Sequence, residues 1–349
     1  MMKKIAVIGH FGFGRNDLDG QTIKTKIVTD FLCQKVGEQE VVKIDTHGGW
    51  KTLLKAPFFA IFALKKAKNV VMFPAHNGVR VFGRLLPCLK RIFKDRKIHY
   101  VVIGGWLPKM LERKKGLAKK LKKFDGIYVE TNMMKETLEK QGFSNIYVMP
   151  NCKELKILRE EELIYSVGEP YKLCTLSRVC KEKGIGDAVD AVMTVNEKLG
   201  KIVYTLDIYG AIDEHQKDWF AELQKEFPEY IQYRGIIPFE KSVEILSNYF
   251  ALLFPTHFYT EGIPGTIIDA YSAGIPVVSA KWESFSDIIE NFKTGIGYNF
   301  DEPKALESVL VDIADNPNLI YSSKKNCLNK ANNYMPNIVI EILTKNLAN

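Results

Sequence analysis

The sequence predicts an α/β protein of two domains, each organised around a mainly parallel sheet. Short apolar runs alternate with segments of helical period along the whole chain, the pattern of strand–helix–strand crossovers. At 349 residues the chain exceeds what one hydrophobic core serves. A polar stretch over 151–170, containing Glu160-Glu161-Glu162 and Gly168-Glu169-Pro170, separates two such series. The expected division is 1–165, 166–330 and a terminal helix in 331–349 that packs back on the first domain. Strands are expected in the first domain at 5–8, 41–44, 70–73, 99–103, 126–129 and 146–148. In the second they are expected at 172–177, 204–209, 231–234, 250–254 and 276–279.

In the first domain the opening strand runs into Gly9-His10-Phe11-Gly12-Phe13-Gly14. Its Gly-x-x-Gly-x-Gly spacing departs from the dinucleotide fingerprint, which argues against an oxidoreductase. Asp17-Leu18-Asp19 has the look of a carboxylate pair for a metal but reads better as a solvated turn. His76 follows an apolar strand and Pro74-Ala75, which puts it at the carboxyl edge of the sheet, either bonding its own loop or facing a ligand. Gly104-Gly105-Trp106 also ends a strand, with Trp106 a packing residue or a stacking platform. The six cysteines show no CxxC and no histidine at metal spacing, so neither disulfides nor structural zinc are expected. The start carries no secretory pattern and no apolar run is long enough to span a bilayer.

The second domain carries the chemistry. Arg178 ends a strand and Lys183 follows five residues later, just before Gly184 and a helix-like run. Two fixed cations suit a diphosphate leaving group, because each contact strengthens as negative charge develops. Further on, Glu261-Gly262-Ile263-Pro264-Gly265-Thr266 turns from a strand into a helix, and Asp269 lies eight residues beyond Glu261. A helix start offers free N–H groups to phosphate. Glu261 is suited to sugar hydroxyls, the amides of Gly265 and Thr266 to the diphosphate, and Asp269 to a ribose. Tyr209-Gly210 and Gly235-Ile236-Ile237 end neighbouring strands and are expected to flank the base.

At these residues the chain resembles the family-4, or group 1, glycosyltransferases, retaining enzymes of the GT-B fold with two facing Rossmann-like domains. Arg178, Lys183-Gly184, Glu261 and Gly274-Ile275-Pro276-Val277-Val278 carry the likeness. Asp269 stands where the family has a second Glu, and Pro264 where it commonly has Gly. The resemblance implies hexosyl transfer from a nucleotide diphosphate-sugar, UDP by default, with retention of configuration and no metal cofactor. It also implies that Gly12 and Gly14 border the donor and that His76 contacts sugar or acceptor. The expected setting is surface polysaccharide assembly, O-antigen or capsule, on an undecaprenyl-diphosphate-linked acceptor. The alternatives are a nucleotide-sugar-binding subunit without turnover, or a nucleotide-sugar epimerase.

Charge is unevenly divided. Residues 1–170 hold 32 Lys and Arg against 17 Asp and Glu, a net +15, whereas the whole chain carries +8. The excess concentrates in 90–97 and 113–123, and 50–64 adds aromatic bulk. These segments are expected to form a face for an anionic membrane, giving a cytoplasmic protein peripheral on the inner side of the cell membrane. No nucleic-acid-binding motif accompanies the charge, so nucleic acid is not an expected partner.

Overall fold

The computed structural model describes residues 3–14, 20–48, 52, 54–165 and 168–347. The Asp17-Leu18-Asp19 turn and Trp50-Lys51 lie outside them. The chain divides into two compact units, one of Met1–Glu154 with Tyr334–Asn349 and one of Leu155–Asn333.

The first unit holds a six-stranded parallel sheet in the order β2-β1-β3-β4-β5-β6. Its strands are β1 Lys3–Gly9, β2 Val41–Asp45, β3 Ala67–Met72, β4 Lys97–Val101, β5 Gly126–Val129 and β6 Ile146–Val148. Successive side chains of β1 go to opposite faces. Ala6 and Ile8 join one core with Val70, Ile98 and Ile127. Ile5 and Val7 join another with Val71, Val101 and Tyr128. Helix Gly20–Val36 covers the second face through Val28 and Leu32. The same core takes Val339, Ile340 and Leu343 from short helices Pro336–Val339 and Glu341–Thr344, which anchors the end of the chain to this unit.

The second unit repeats the plan with order β12-β11-β10-β7-β8-β9, again all parallel. The strands are β7 Tyr171–Leu176, β8 Tyr204–Tyr209, β9 Ile231–Gly235, β10 Ala251–Phe254, β11 Val277–Ala280 and β12 Gly295–Tyr298. Segment 155–165, expected with the first domain, is attached here. Leu158 N–H donates to Ser272 O at 2.9 Å, and Glu160 pairs with Lys325 at 2.9 Å. Strand β12 was not expected: two of its four residues are glycine, too few apolar side chains to read as a strand.

Three features of the first unit bear on the sequence expectations. Within 50–64, Phe59 and Phe62 pack on the core while Leu54, Phe58 and Ile61 are exposed, so the run divides between two environments. The 113–123 segment buries Leu117, Ala118 and Leu121 beneath its lysines. Finally, the amides of the glycine turn are already engaged by Asp45, as described below. Among the described residues no helix is long and apolar enough to cross a membrane.

Candidate functional site

The carboxyl ends of β7, β8 and β10 are pressed together by two glycines that tolerate no side chain. Gly210, at φ 137°, lies so close to Ser177 that an added Cβ would stand 1.6 Å from its carbonyl oxygen. This approach lets Val179 N–H donate to Ala211 O and Asp213 N–H to Val179 O. It also brings Asp213 Oδ2 to 3.2 Å from Arg178 Nη1. Gly184, at φ 68°, would place a Cβ 1.8 Å from Pro255 O. The turn carrying Lys183 is therefore seated directly on the end of β10, and helix Ile185–Lys198 departs from it.

That seating puts Lys183 into an ion pair with Glu261 Oε1. Its ammonium stands 5.3 Å from the Phe254 ring centroid and 5.0 Å from that of Phe258, both attractive at such range. Thr256 completes the group: its hydroxyl donates to Glu261 Oε1 at 3.1 Å and accepts the Phe258 N–H at 3.1 Å. Nearby, His257 N–H donates to Glu182 O, and the His257 ring meets Asp187 Oδ2 at 2.6 Å. Thr256 and Asp213 were not anticipated. Nothing in residue spacing announces that a hydroxyl after β10 or a carboxylate after β8 will close on these partners.

Beyond Glu261, Gly262 and Ile263 are buried, and extended Pro264 precedes helix Gly265–Ser272 without a side-chain cap. The first turn of that helix therefore leaves N–H groups of Gly265 and Thr266 to other acceptors. The Thr266 hydroxyl is buried with no hydrogen-bond partner among the described residues. Asp269 lies on the same helix but is 2% exposed, and its Oδ1 accepts from Ser242 Oγ at 2.9 Å. The two carboxylates thus have different partners, Lys183 for one and Ser242 for the other.

Tyr209 is engaged in a hydroxyl chain, meeting Tyr249 at 2.8 Å, which donates to Asp207 Oδ2 at 2.7 Å. Arg234 Nε donates to the other Asp207 oxygen at 2.7 Å. Burial first, then these bonds, push the Tyr249 phenol far above its ordinary range. Gly210 O accepts from Tyr233 OH, Ile236 is exposed and Ile237 half-buried.

In the first unit, Gly12 at φ 58° and Gly14 at φ 79° shape a loop closed by Asp45. Phe11 N–H donates to Asp45 Oδ1 at 3.0 Å, Phe13 N–H to Oδ2 at 3.2 Å, and His47 N–H to Oδ1 at 2.8 Å. Burial works to raise the Asp45 pKa, but the backbone donors outweigh it and the net shift is downward. His76 opens helix His76–Leu89 and stacks on Trp106, with ring centroids 4.0 Å apart. Burial, then Arg80, depress its pKa. Trp106 Nε1–H donates to Ile103 O at 2.8 Å, so both rings belong to one packed corner.

A paired ammonium and carboxylate beside a helix start, at the carboxyl end of a parallel sheet, is an arrangement for binding anionic, hydroxylated molecules. Residues 170–316 match the family described as glycosyl transferases group 1. This region is a group 1 glycosyl transferase domain. The second-unit residues of the candidate site lie within it. The amylovoran biosynthesis glycosyltransferase AmsK of Erwinia amylovora is 25% identical over 150 residues, 42% of this chain and 36% of AmsK. The alignment thus spans about a third of that relative. Solved structures extend the likeness in fold to nearly the whole chain. Anabaena HepE in complex with UDP superposes with TM-score 0.76 at 12% identity, covering 99% of both chains. The lipopolysaccharide outer core galactosyltransferase WaaB gives 0.71 at 16% identity over 98% of both. The fold is GT-B. Among the described residues no three His, Cys, Asp or Glu side chains gather as a metal site.

Proposed function

We propose that this protein transfers a hexosyl unit from a nucleotide diphosphate-sugar, a UDP-sugar in the first instance, to a hydroxyl of a lipid-linked glycan. The observation that carries the reading is the Lys183–Glu261 pair, seated by Gly184, with Glu261 four residues before the start of helix Gly265–Ser272 within the group 1 domain. HepE's complex with UDP and the naming of AmsK and WaaB as glycosyltransferases of amylovoran and lipopolysaccharide support donor class and setting.

In this reading the diphosphate competes with Glu261 for the Lys183 ammonium and with Asp213 for Arg178. The released Glu261 then accepts hydrogen bonds from sugar hydroxyls. As the bond between anomeric carbon and phosphate oxygen lengthens, Lys183, Arg178 and the Gly265 and Thr266 amides take up the growing charge. The diphosphate charge is met by these cations, so we propose turnover without metal. Configuration is retained, with the acceptor proton passing to the departing phosphate oxygen. Asp269, buried against Ser242, holds the helix whose Gly265 and Thr266 amides meet the diphosphate. His76 and Trp106 remain candidates for the acceptor side.

The test is thermal stabilisation by UDP, GDP, ADP and dTDP, followed by product analysis with the matching sugars. Stabilisation by one nucleotide that is lost in Lys183→Ala supports the assignment. No stabilisation by any of the four overturns it. Conversion of the free donor without acceptor would make the protein an epimerase, and binding without any product a partner subunit.

A further inference from the structure

We propose that the outward face of helix Ala56–Lys66 in the first unit docks on an anionic lipid bilayer. The inward face is made of Ala56, Ala60, Ala63 and Leu64, all buried. Phe59 and Phe62 flank it against the core. Small alanines let the helix lie close to the sheet, so the bulky side chains on the other side are not needed for packing. Those are Leu54, 71% exposed, Phe58, 69%, and Ile61, 37%. Phe58 and Ile61, three residues apart, share one ridge of the helix that exposed Lys65 continues four residues later, and Leu54 lies just ahead of the helix start. Lys55 and Lys66 are exposed beside it.

The charge around this ridge is strongly biased to one sign. Residues 46–94 contain ten Lys and Arg and no Asp or Glu. Arg96 Nε donates to Leu64 O at 2.9 Å, tying the following basic loop to the last turn of the helix. In that loop Arg91 and Lys94 are exposed, Ile92 is 75% exposed, and exposed Asp95 is the one acid among these cations. An apolar ridge that sinks to the acyl boundary while lysines reach phosphates is the chemistry of an interfacial helix. A second copy of the chain would bring the same cations face to face, which disfavours self-association through this surface. The surface belongs to the other unit from the donor site, so its test and the nucleotide test fail separately.

The experiment is co-sedimentation of the full chain with vesicles of phosphatidylcholine, alone or with about one third phosphatidylglycerol, at low and high salt. The wild type is expected to bind the phosphatidylglycerol vesicles and to be released by salt. Phe58→Ser/Ile61→Ser should bind at least about tenfold more weakly while its melting temperature and nucleotide response stay unchanged. Ile202→Ser, an exposed apolar residue of the second unit, should bind as the wild type does. Absence of wild-type binding, or equal binding by the double variant, overturns the proposal. Salt-insensitive binding to phosphatidylcholine alone overturns the anionic assignment. A wild-type dimer that the double variant abolishes would give the ridge to a second copy instead.

Discussion

Two glycine-bearing turns, each at the carboxyl end of a parallel strand, have been put to opposite uses. In the first unit the loop after β1 folds its amides around Asp45, a carboxylate of its own sheet. In the second unit Gly184 permits a backbone contact that delivers Lys183 to Glu261 beside a helix start. The first turn satisfies itself; the second assembles exchangeable charge. Glycine spacing therefore marks where backbones approach closely, and the charged residue brought by the approach decides what the site can bind.

The largest expected effect sharpens this contrast through the glycines themselves. Gly184→Ala drives a Cβ into Pro255 O and should cost about 3 kcal/mol or more, with turnover lost. Gly14→Ala meets nothing within 4 Å and should cost only the left-handed backbone term, about 1–2 kcal/mol. Parallel urea melts of the two variants measure the difference; equal costs would break the comparison.

Acid should distinguish the first unit next. His99 is buried on β4, with Tyr128 OH 3.2 Å from its Nδ1, and burial lowers its pKa to about 4. An unfolded histidine binds its proton near pH 6.5, so between pH 6.5 and 4 the unfolded chain holds the extra proton. Stability should thus be full above pH 6.5 and fall by about 3 kcal/mol as pH drops to 4. Denaturant midpoints across that window check this, and His99→Phe should flatten the dependence.

Lys183→Ala tests the second turn directly. Turnover should fall about ten- to a hundredfold, the loss of a charge-assisted contact of about 1.5–3 kcal/mol. Steady-state rates with saturating donor measure it; an unchanged rate removes Lys183 from the site. A second lysine of the same unit supplies the smallest effect. Lys324 is buried, and burial draws its pKa down to about 8, with no carboxylate in ion-pair range among the described residues. Lys324→Met should stabilise the protein by about 1 kcal/mol, read as a raised melting temperature.

The strands were legible because branched and aromatic runs buried on both faces stand out from their surroundings. β12 was not, since Gly295 and Gly297 leave it only two side chains with which to announce itself. At the site, residue types and spacing gave Arg178, Lys183, Glu261 and the helix start. Their closures were hidden: Asp213 reaches Arg178 from 35 residues away, and Ser242 reaches Asp269 from 27. Likewise, a carboxylate 34 residues beyond Phe11 engages the first glycine loop. Local sequence records which groups are available, whereas the choice among distant partners is made only when the sheet brings strand ends together.

The Lys183–Glu261 contact also bears on how a catalytic cycle would end. In the proposed reaction a departing nucleotide would give up Lys183, and Glu261, its present partner, would take the lysine back. Such a tethered rival cannot diffuse away, so in that reaction it would shorten the residence of the spent nucleotide and hasten the return to an empty enzyme.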